Sequence, residues 1–281
     1  MQRNRANAAL SDSPEMRPAP AMLDIDFAEL SDCGPVRPHN EDFVGHSIPT
    51  NPEQARSRGW LFTLADGVGG QERGEVASQL TVETILGECA KAAPGENSSS
   101  LLSRAVQAAN TKVYEAAHGG IASTVVAVSL RFDRATIAHV GDSRCYLIRH
   151  GRPQLLTRDH TVTNEQVRLG IFTQQEAQRA LTRNVLSRSI GINLFVAAEV
   201  SEHTVRAGDL LLLCSDGLHG AVPDKEIVRI ATSGTDLKDA AQQLITIANQ
   251  SDGGDNVSVQ LIRVRDVEAV GMYRGRPYRL H

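Results

Sequence analysis

The chain has 281 residues, enough for one large domain or two small ones, and its hydrophobic content of 41% is ordinary for a globular protein. Its formal net charge of -4 and its sequence pI of about 6.1 exclude a general electrostatic attraction to nucleic acid or to an anionic membrane surface. Aromatic residues make up only 4% of the chain, so we expect a core built largely from Ala, Val, Leu and Ile.

The cysteines and the apolar runs indicate the cellular compartment. Reduced thiols are predicted for the four widely spaced cysteines, although their spacing leaves disulfides open: Cys33, Cys89, Cys145 and Cys214. No run approaches the ~20 apolar residues that a membrane helix needs. Residues 1–22 also contain no apolar segment typical of a secretory signal. We therefore expect a cytoplasmic protein that does not bind the membrane.

Hydrophobic periodicity predicts the elements of the first half of the chain. Residues 1–22 are rich in Pro, Ala, Asn and Arg without any period, which is typical of a disordered leader. Apolar alternation then predicts strands, and apolar residues at helical spacing predict helices. The predicted strands begin at residue 24 and span 60–65, and the predicted helices span 73–93 and 101–117.

The second half begins with a block of three predicted strands, over residues 124–132, 135–140 and 144–149. Their links are so short that neighbouring strands must be antiparallel, since a parallel crossover needs a dozen or more residues. Residues 160–190 are polar and helical in pattern and predict an exposed insertion. Strands over 195–204, 209–215 and 256–264 and helices over 224–232 and 237–250 follow. The tail from residue 265 shows no clear element and is interpreted as a linker remnant or a docking peptide.

The order of these elements predicts the fold class. Strands, paired helices, an antiparallel block, paired helices and a final strand favour an α+β protein with two sheets covered by helices, rather than a doubly wound parallel sheet.

Acidic residues cluster beside turn formers at five places: Asn40-Glu41-Asp42, Ala65-Asp66-Gly67, Gly141-Asp142-Ser143, Ser215-Asp216-Gly217 and Asp255-Asn256. An aspartate beside glycine is by itself a common turn signal. Two of these clusters, however, directly follow apolar strands, so Asp66 and Asp216 would enter one region and repel each other unless a cation lies between them. Oxygen ligands without cysteine or paired histidine favour Mg²⁺ or Mn²⁺ over zinc.

A phosphate-binding group is available three residues before Asn40. Arg37 carries a guanidinium, which binds phosphate oxygens in a bidentate manner. Taken alone, Arg37 would be interpreted as a solvated side chain, and only its place beside the acidic clusters gives it a functional interpretation.

Five motifs in this order resemble the bacterial type 2C metal-dependent serine/threonine protein phosphatases. They are Arg37-Pro-His-Asn-Glu-Asp42, Ala65-Asp-Gly-Val-Gly-Gly70, Val140-Gly-Asp-Ser-Arg144, Ser215-Asp-Gly-Leu218 and Gly254-Asp-Asn256. Each motif is weak alone, but five in order are specific. The resemblance implies a phosphatase domain over residues 23–265, a mobile flap over about 160–190, and a tail over 266–281.

The resemblance implies a four-layer α-β-β-α sandwich, in which two antiparallel sheets are flanked by helix pairs and the metals lie at one end. Two core Mn²⁺ or Mg²⁺ ions would share Asp66. Asp216 and Asp255 would complete one site, and Glu41 with the Gly67 carbonyl would complete the other. The remaining implied roles are orientation of a water by Asp42, phosphate binding by Arg37, and a weaker third metal site at Asp142 and Asp216.

The implied reaction is hydrolysis of phosphoserine and phosphothreonine by direct attack of a metal-bridging hydroxide. The implied substrates are phosphorylated proteins, in particular substrates of a serine/threonine kinase and the kinase itself. We expect a monomer with no nucleic-acid partner. The alternative is a phosphatase-like domain that has lost catalysis and serves as a binding or sensor module.

Three departures from the family pattern concern the site. Val68 replaces a histidine that is proposed as general acid in some members, which leaves a metal-bound water or His39 as the proton source. Gly220 stands where some relatives place a further ligand of the third metal. The segment Ala122-Ser123-Thr124 lacks the glycine usual before this threonine.

Other phosphate chemistries fit the sequence less well. A cysteine phosphatase needs Cys-x₅-Arg, and neither Cys33 with Arg37 nor Cys145 with Arg149 has that spacing. An aspartyl-phosphate hydrolase needs Asp-x-Asp-x-Thr/Val, whereas Asp24-Ile-Asp-Phe-Ala28 ends in alanine. A kinase would need a glycine-rich phosphate loop, and the chain has neither Gly-Lys-Ser/Thr nor Gly-x-Gly-x-x-Gly.

Overall fold

A computed structural model describes residues 23–68, 73–93, 95–118, 120–234 and 236–267, together with the backbone of 270–273 and 276–279. The leader predicted over residues 1–22 lies outside the described residues.

The strands and helices are numbered in chain order. The strands are β1 (Leu23–Asp32), β2 (Asp42–Ser47), β3 (Trp60–Val68), β4 (Ala122–Ser123), β5 (Val125–Arg131), β6 (Arg134–Val140), β7 (Arg144–Arg149), β8 (Arg152–Leu155), β9 (Glu199–Thr204), β10 (Leu210–Cys214), β11 (Val257–Val267), β12 (Val270–Tyr273) and β13 (Arg276–Arg279). The helices are α1 (Pro52–Ser57), α2 (Gly74–Ala90), α3 (Ser98–Ala117), α4 (Val162–Arg168), α5 (Gln174–Arg179), α6 (Asp216–His219), α7 (Asp224–Thr232) and α8 (Leu237–Ser251).

Two antiparallel sheets form the centre of the molecule. One has five strands in the order β1-β11-β10-β7-β8. The other has six strands: five in the order β2-β3-β5-β6-β9, and the short β4, which pairs with β3. Strands β6 and β7 are consecutive in the chain but belong to different sheets. The turn between them therefore crosses from one sheet to the other.

Strand β10 explains why the sheets stack as they do. All five of its residues are buried, because successive side chains point to opposite faces and both faces are covered. Leu210, Leu212 and Cys214 pack in the core beneath α7 and α8. Leu211 and Leu213 pack in the core between the two sheets, with Phe62 of the other sheet.

Helices α2 and α3 cover the outer face of the six-stranded sheet. The buried stripe of α3 repeats at helical spacing through Leu102, Ala105, Ala109 and Val113 and packs in a third core cluster. Asn97 caps the start of this helix by accepting a hydrogen bond from the Ser100 N–H at 3.0 Å. With α7 and α8 on the other sheet, the layers are α-β-β-α, which confirms the predicted fold class.

The structure differs from the sequence-based boundaries at several elements. Strand β9 begins at Glu199 rather than near residue 195, and α1, β2, β8 and α6 were not predicted. The interpretation of the tail as lacking any element is wrong for its described part. Strand β11 continues to Val267, and β12 pairs with β13 as an antiparallel hairpin.

All four cysteines are free thiols, as predicted. Within the described residues, no helix combines the length and the apolar character that crossing a membrane requires.

Candidate metal centre

Strand ends bring the predicted acidic residues to one end of the sandwich. Asp42 begins β2 and lies opposite Asp66, which is near the end of β3. Asp216 begins α6, one residue past the end of β10, and Asp255 precedes β11, the antiparallel neighbour of β10. Asp142 lies in the turn between β6 and β7 that crosses between the sheets. Five carboxylates from both sheets thus meet where the strands end.

Asp66 lies at the centre of this group. The pKa of Asp66 is raised well above its ordinary value, first by desolvation and then by the negative charges of the other carboxylates: Asp42, Asp216, Asp142 and Asp255. Desolvation and the charge of Asp255 likewise raise the pKa of Asp216. The carboxylates are therefore close enough to disfavour one another's charged form.

Asp42 and Asp216 each have one carboxylate oxygen that is buried without a hydrogen-bond partner among the described residues. The other oxygen of Asp42 accepts a hydrogen bond from the Ser215 hydroxyl at 2.7 Å. Burial nevertheless raises the pKa of Asp42 to about 7, with the Ser215 bond opposing the shift. An unpaired buried carboxylate oxygen is costly and is the ligand that a hard cation takes.

Glu41 is held by both sheets. Its N–H donates to the Asn256 side-chain oxygen at 2.8 Å, and its carbonyl accepts from the Gly67 N–H at 3.0 Å. The carboxylate accepts a hydrogen bond from the Gly74 N–H at 3.1 Å. A Cβ on residue 74 would lie 2.6 Å from this carboxylate, so the close approach requires glycine. Glu41 and Gly67 are therefore held side by side.

Arg37 reaches the same cluster from the turn after β1. Its guanidinium forms an ion pair with Asp255 at 2.9 Å and donates to the Gly254 carbonyl at 3.0 Å. The arginine side chain is 44% exposed, so the guanidinium lies at the surface of the acidic group and is open to a ligand.

A cavity of about 510 Å³ adjoins the carboxylates of Asp142, Asp216 and Asp255. Its opposite wall comes from the predicted flap: Thr161, Thr163, Asn164, Ala177, Arg183 and Asn184. Arg144 and Asp159 also line the cavity and form a bidentate ion pair, with N–O distances of 2.9 and 2.7 Å. Desolvation, followed by the charges of Asp216 and Asp159, raises the pKa of Asp142 to about 7. The cavity is thus acidic on one side and polar on the other.

Three supporting residues were not assigned a role from the sequence. Asn256 donates to the carbonyls of Cys33 and His39 at 2.8 and 3.0 Å and so fixes the loop that carries Arg37 and Glu41. Thr124 accepts a hydrogen bond from the Asp66 N–H at 3.0 Å, and Ser215 bonds Asp42. Asn256 and Ser215 stand beside predicted ligands in the sequence, but their partners are far away along the chain.

The departures at the site have simple structural consequences. Val68 is a half-exposed apolar side chain at the end of β3 and carries no transferable proton. His39 lies exposed on the loop between Arg37 and Glu41. Gly220 ends α6 and contributes no carboxylate, while the neighbouring His219 bonds the Asp142 carbonyl at 3.0 Å.

The donor set fits divalent oxygen-seeking cations. Carboxylates and a backbone carbonyl are the ligands of Mg²⁺ and Mn²⁺, and a cation between Asp66 and Asp216 would remove their repulsion. His139, His160 and Glu199 form a separate group whose ligand atoms lie within 4.8 Å of one another.

A thiolate mechanism has no support in the structure. Cys145 is buried, and its burial raises the pKa of the thiol to about 12, so the reactive thiolate is disfavoured.

Comparison with known proteins agrees with this geometry. A putative type 2C protein phosphatase of Streptococcus pyogenes is 34% identical over 238 residues, which cover 83% of this chain and 94% of the relative. The solved serine/threonine phosphatase of S. agalactiae is 33% identical with a TM-score of 0.79, covering 86% of this chain and 100% of that one. The catalytic domain of the phosphatase PstP, solved in complex with two manganese ions, is 33% identical with a TM-score of 0.73. The match covers 86% of this chain and 99% of the PstP domain. The family model for protein phosphatase 2C matches residues 31–257, and the chain therefore belongs to the protein phosphatase 2C family.

Proposed function

We propose that this protein is a Mn²⁺- or Mg²⁺-dependent phosphatase that hydrolyses phosphoserine and phosphothreonine in other proteins. The observation that carries the proposal is the convergence of five carboxylates, two of them with an unpaired buried oxygen, next to the exposed guanidinium of Arg37. Membership of the family and similarity to a phosphatase that binds two manganese ions support the same activity.

The arrangement of ligands follows the contacts within the cluster. Asp66, at the centre, would be shared by two ions, and Asp216 and Asp255 would complete one site. Glu41 with the Gly67 carbonyl would complete the other, since hydrogen bonds hold these two residues side by side. Asp142 and Asp216 line the cavity together and would hold a weaker third ion.

Bound divalent cations would activate water and offset the negative charge of the phosphate group. The chain supplies the remaining functions. Arg37 would bind two phosphate oxygens, and its ion pair with Asp255 keeps the guanidinium at the edge of the site. Asp42 is fixed by Ser215 through one oxygen, and its unpaired oxygen would accept a hydrogen bond from water and orient it.

The leaving serine or threonine oxygen needs a proton, which Val68 cannot supply. Water within the site or His39 would therefore provide it. His39 is exposed on the loop of Arg37, and a rate that falls only slightly in His39→Ala would assign the proton to water.

The substrate and the cellular setting are part of this proposal. Phosphorylated proteins would dock across the cavity against the flap over residues 160–190, which would govern substrate choice and product release. These partners would include substrates of a serine/threonine kinase and the kinase itself. We propose a cytoplasmic monomer that does not bind nucleic acid, in keeping with the net charge of -4.

A direct test distinguishes the enzyme from an inactive binding module. Hydrolysis of a small aryl phosphate is measured with Mn²⁺, with and without an excess of chelator. The proposal predicts turnover that chelator abolishes and that fresh Mn²⁺ restores. Metal-independent turnover, or none with any divalent cation, would refute the enzymatic function.

A further inference from the structure

His160 joins the two ends of the flap to the turn that carries Asp142. The backbone N–H of His160 donates to the Gly141 carbonyl at 2.9 Å, and its carbonyl accepts from the Ser187 N–H at 2.8 Å. His160 is therefore bonded to the β6–β7 turn on one side and to the end of the flap on the other.

The His160 ring forms a second bond to the same turn. Its Nδ1 accepts a hydrogen bond from the Gly141 N–H at 3.2 Å. Because Nδ1 accepts, the one proton of a neutral imidazole lies on Nε2, which faces a Glu199 carboxylate oxygen at 3.4 Å. The Arg188 guanidinium, 3.3 Å from the same nitrogen, then donates to the Ala197 carbonyl rather than to the ring. Burial, with the nearby charges of His139 and Arg188, lowers the pKa of His160 to about 4, which keeps the ring neutral and Nδ1 free to accept.

The backbone of Gly141 depends on these bonds, whereas the next two residues of the turn have other partners. The Asp142 carbonyl is hydrogen-bonded to His219 at 3.0 Å, and the Ser143 hydroxyl to Thr124 at 2.6 Å. Gly141 has a φ of +102°, which a side chain would strain, and a Cβ there would lie 2.6 Å from the Thr124 side chain. Both backbone hydrogen-bonding groups of Gly141 are satisfied by His160. His160 thus fixes the residue before Asp142, and His219 holds the Asp142 carbonyl itself.

His139, His160 and Glu199 are close enough to be considered as a metal site, but their geometry is unfavourable. The two rings are stacked, with centroids 4.7 Å apart and an angle of 15° between their planes. A metal ion lies near the plane of each imidazole that binds it, and two parallel planes cannot share one ion. The Arg188 guanidinium, 3.3 Å from His160 Nε2, would also repel a cation. The group is therefore a hydrogen-bonded junction.

We propose that His160 is a positioning residue: by fixing the Gly141–Asp142 turn and tying it to the flap, its imidazole sets the affinity of Asp142 and Asp216 for the third cation. This inference rests on the proposed function, which supplies that cation. His160 does not line the cavity beside Asp142 and Asp216, and its ring reaches the turn through the Gly141 N–H.

Two polar substitutions distinguish the contribution of His160 Nδ1 from that of Nε2. In His160→Asn the amide oxygen takes the place of Nδ1 and can still accept from Gly141. In His160→Gln the amide reaches the place of Nε2 and keeps only the contact with Glu199. Because each variant loses the ring stacking and one hydrogen bond, we expect similar melting temperatures for both.

The measurement is calorimetric titration of the full chain with Mn²⁺. We expect His160→Gln to weaken the weakest-bound ion about tenfold, in line with the loss of one buried hydrogen bond, and to leave the two tighter ions unchanged. His160→Asn should bind all ions within about twofold of the wild type. Equal affinities in the two variants, or an active wild type that binds only two ions, would overturn the role of His160.

Amide hydrogen exchange tests the same proposal on the wild type alone. The amide hydrogen of Gly141 should exchange as slowly as amides within β6, because the His160 ring accepts it in a buried site. Exchange at the rate of an exposed loop would overturn the proposal. A wild type that neither binds Mn²⁺ nor hydrolyses a phosphoester would instead refute the proposed function itself, so the two failures are distinguishable.

Discussion

At the scale of single residues, Arg37 is the cationic group predicted to meet the substrate. Arg37→Ala is expected to raise KM about tenfold or more while kcat changes less, because a charged hydrogen bond to phosphate contributes about 1.5–3 kcal/mol in ground and transition states alike. Steady-state kinetics with a phosphopeptide and Mn²⁺ gives both constants. Arg37→Lys keeps the charge but loses the bidentate geometry, so its KM should lie between those of the wild type and of Arg37→Ala. An unchanged KM in Arg37→Ala would exclude this residue from the phosphate site.

Asp216 combines a functional role with a cost to stability. Asp216→Asn should abolish Mn²⁺-dependent hydrolysis, because it removes charge from a shared ligand. In chelator the same variant should melt at a higher temperature than the wild type, because the neutral amide no longer repels Asp66 and Asp255.

Asp159→Asn provides the matched control for Asp216→Asn. Asp159 lines the same cavity, but it is paired with Arg144 at 2.7 Å, so its neutralisation should lower the melting temperature. Full activity of Asp216→Asn, or equal falls in melting temperature for both variants, would contradict the assignment of Asp216 as a ligand.

The acidic clusters were predictable from the sequence because they stand beside glycine or other turn formers, and Asp66 and Asp216 also follow apolar strands. Their roles as ligands followed from the resemblance to the family. The residues that support them were not predictable. Ser215 meets Asp42 and Asn256 meets Glu41 across sequence separations of 173 and 215 residues, and only the stacking of the two sheets brings them together. A hydroxyl or an amide carries no local signal of such a partner.

At the scale of elements, the long helices and the apolar strands followed from periodicity, whereas β2 and β8 did not. All four residues of β8 are exposed, so no burial pattern marks that strand in the sequence. Strand β2 begins within the acidic cluster and is half-buried over most of its length. Its strand conformation is set by pairing with β3 rather than by its own alternation.

Two side-chain amides of α3 hold the segment after the flap. Gln107 donates to the Leu194 carbonyl at 3.0 Å and accepts from the Val196 N–H at 3.1 Å, and the second amide, Asn110, is buried. Asn110 donates to the carbonyls of Asn193 and Leu194 at 2.8 and 3.1 Å and accepts from the Gly191 N–H at 2.9 Å. Asn110→Ala should destabilise the protein by about 2–3 kcal/mol, since it leaves the buried Gly191 N–H unpaired.

Hydrogen exchange and thermal unfolding check this prediction. Amides of residues 191–196 should exchange faster in Asn110→Ala, while Mn²⁺ binding persists. Gln242→Ala, which removes only an exposed bond to Thr246, should leave both observations unchanged. Unaltered exchange over residues 191–196 in Asn110→Ala would show that other contacts hold the segment.

At the scale of the whole molecule, the acidic cluster couples stability to pH and to divalent cations. Without cations the pKa values of Asp42 and Asp142 rise from 3.8 to about 7, so the folded protein binds more protons than the unfolded chain between those values. The free energy of unfolding contributed by these groups is therefore greatest at low pH and is lost as pH rises towards about 7.

Thermal unfolding in chelator should show this loss as a melting temperature that falls from about pH 5 to about pH 7.5. Mn²⁺ should raise the melting temperature more at the higher pH, because it binds only the charged carboxylates. Asp42→Asn should flatten the dependence in chelator. An equal pH dependence in the wild type and in Asp42→Asn would contradict the assigned pKa of Asp42.

The positions of bound cations show whether Asp66 is shared between two ions. Anomalous diffraction at the manganese edge, from crystals grown with Mn²⁺, shows the ions without reference to activity. We predict two strong peaks about 3.5–4 Å apart that share Asp66, one beside Asp216 and Asp255 and the other beside Glu41, with a weaker third peak beside Asp142. Manganese peaks that lie away from Asp66, or a single ion bound elsewhere, would contradict the account.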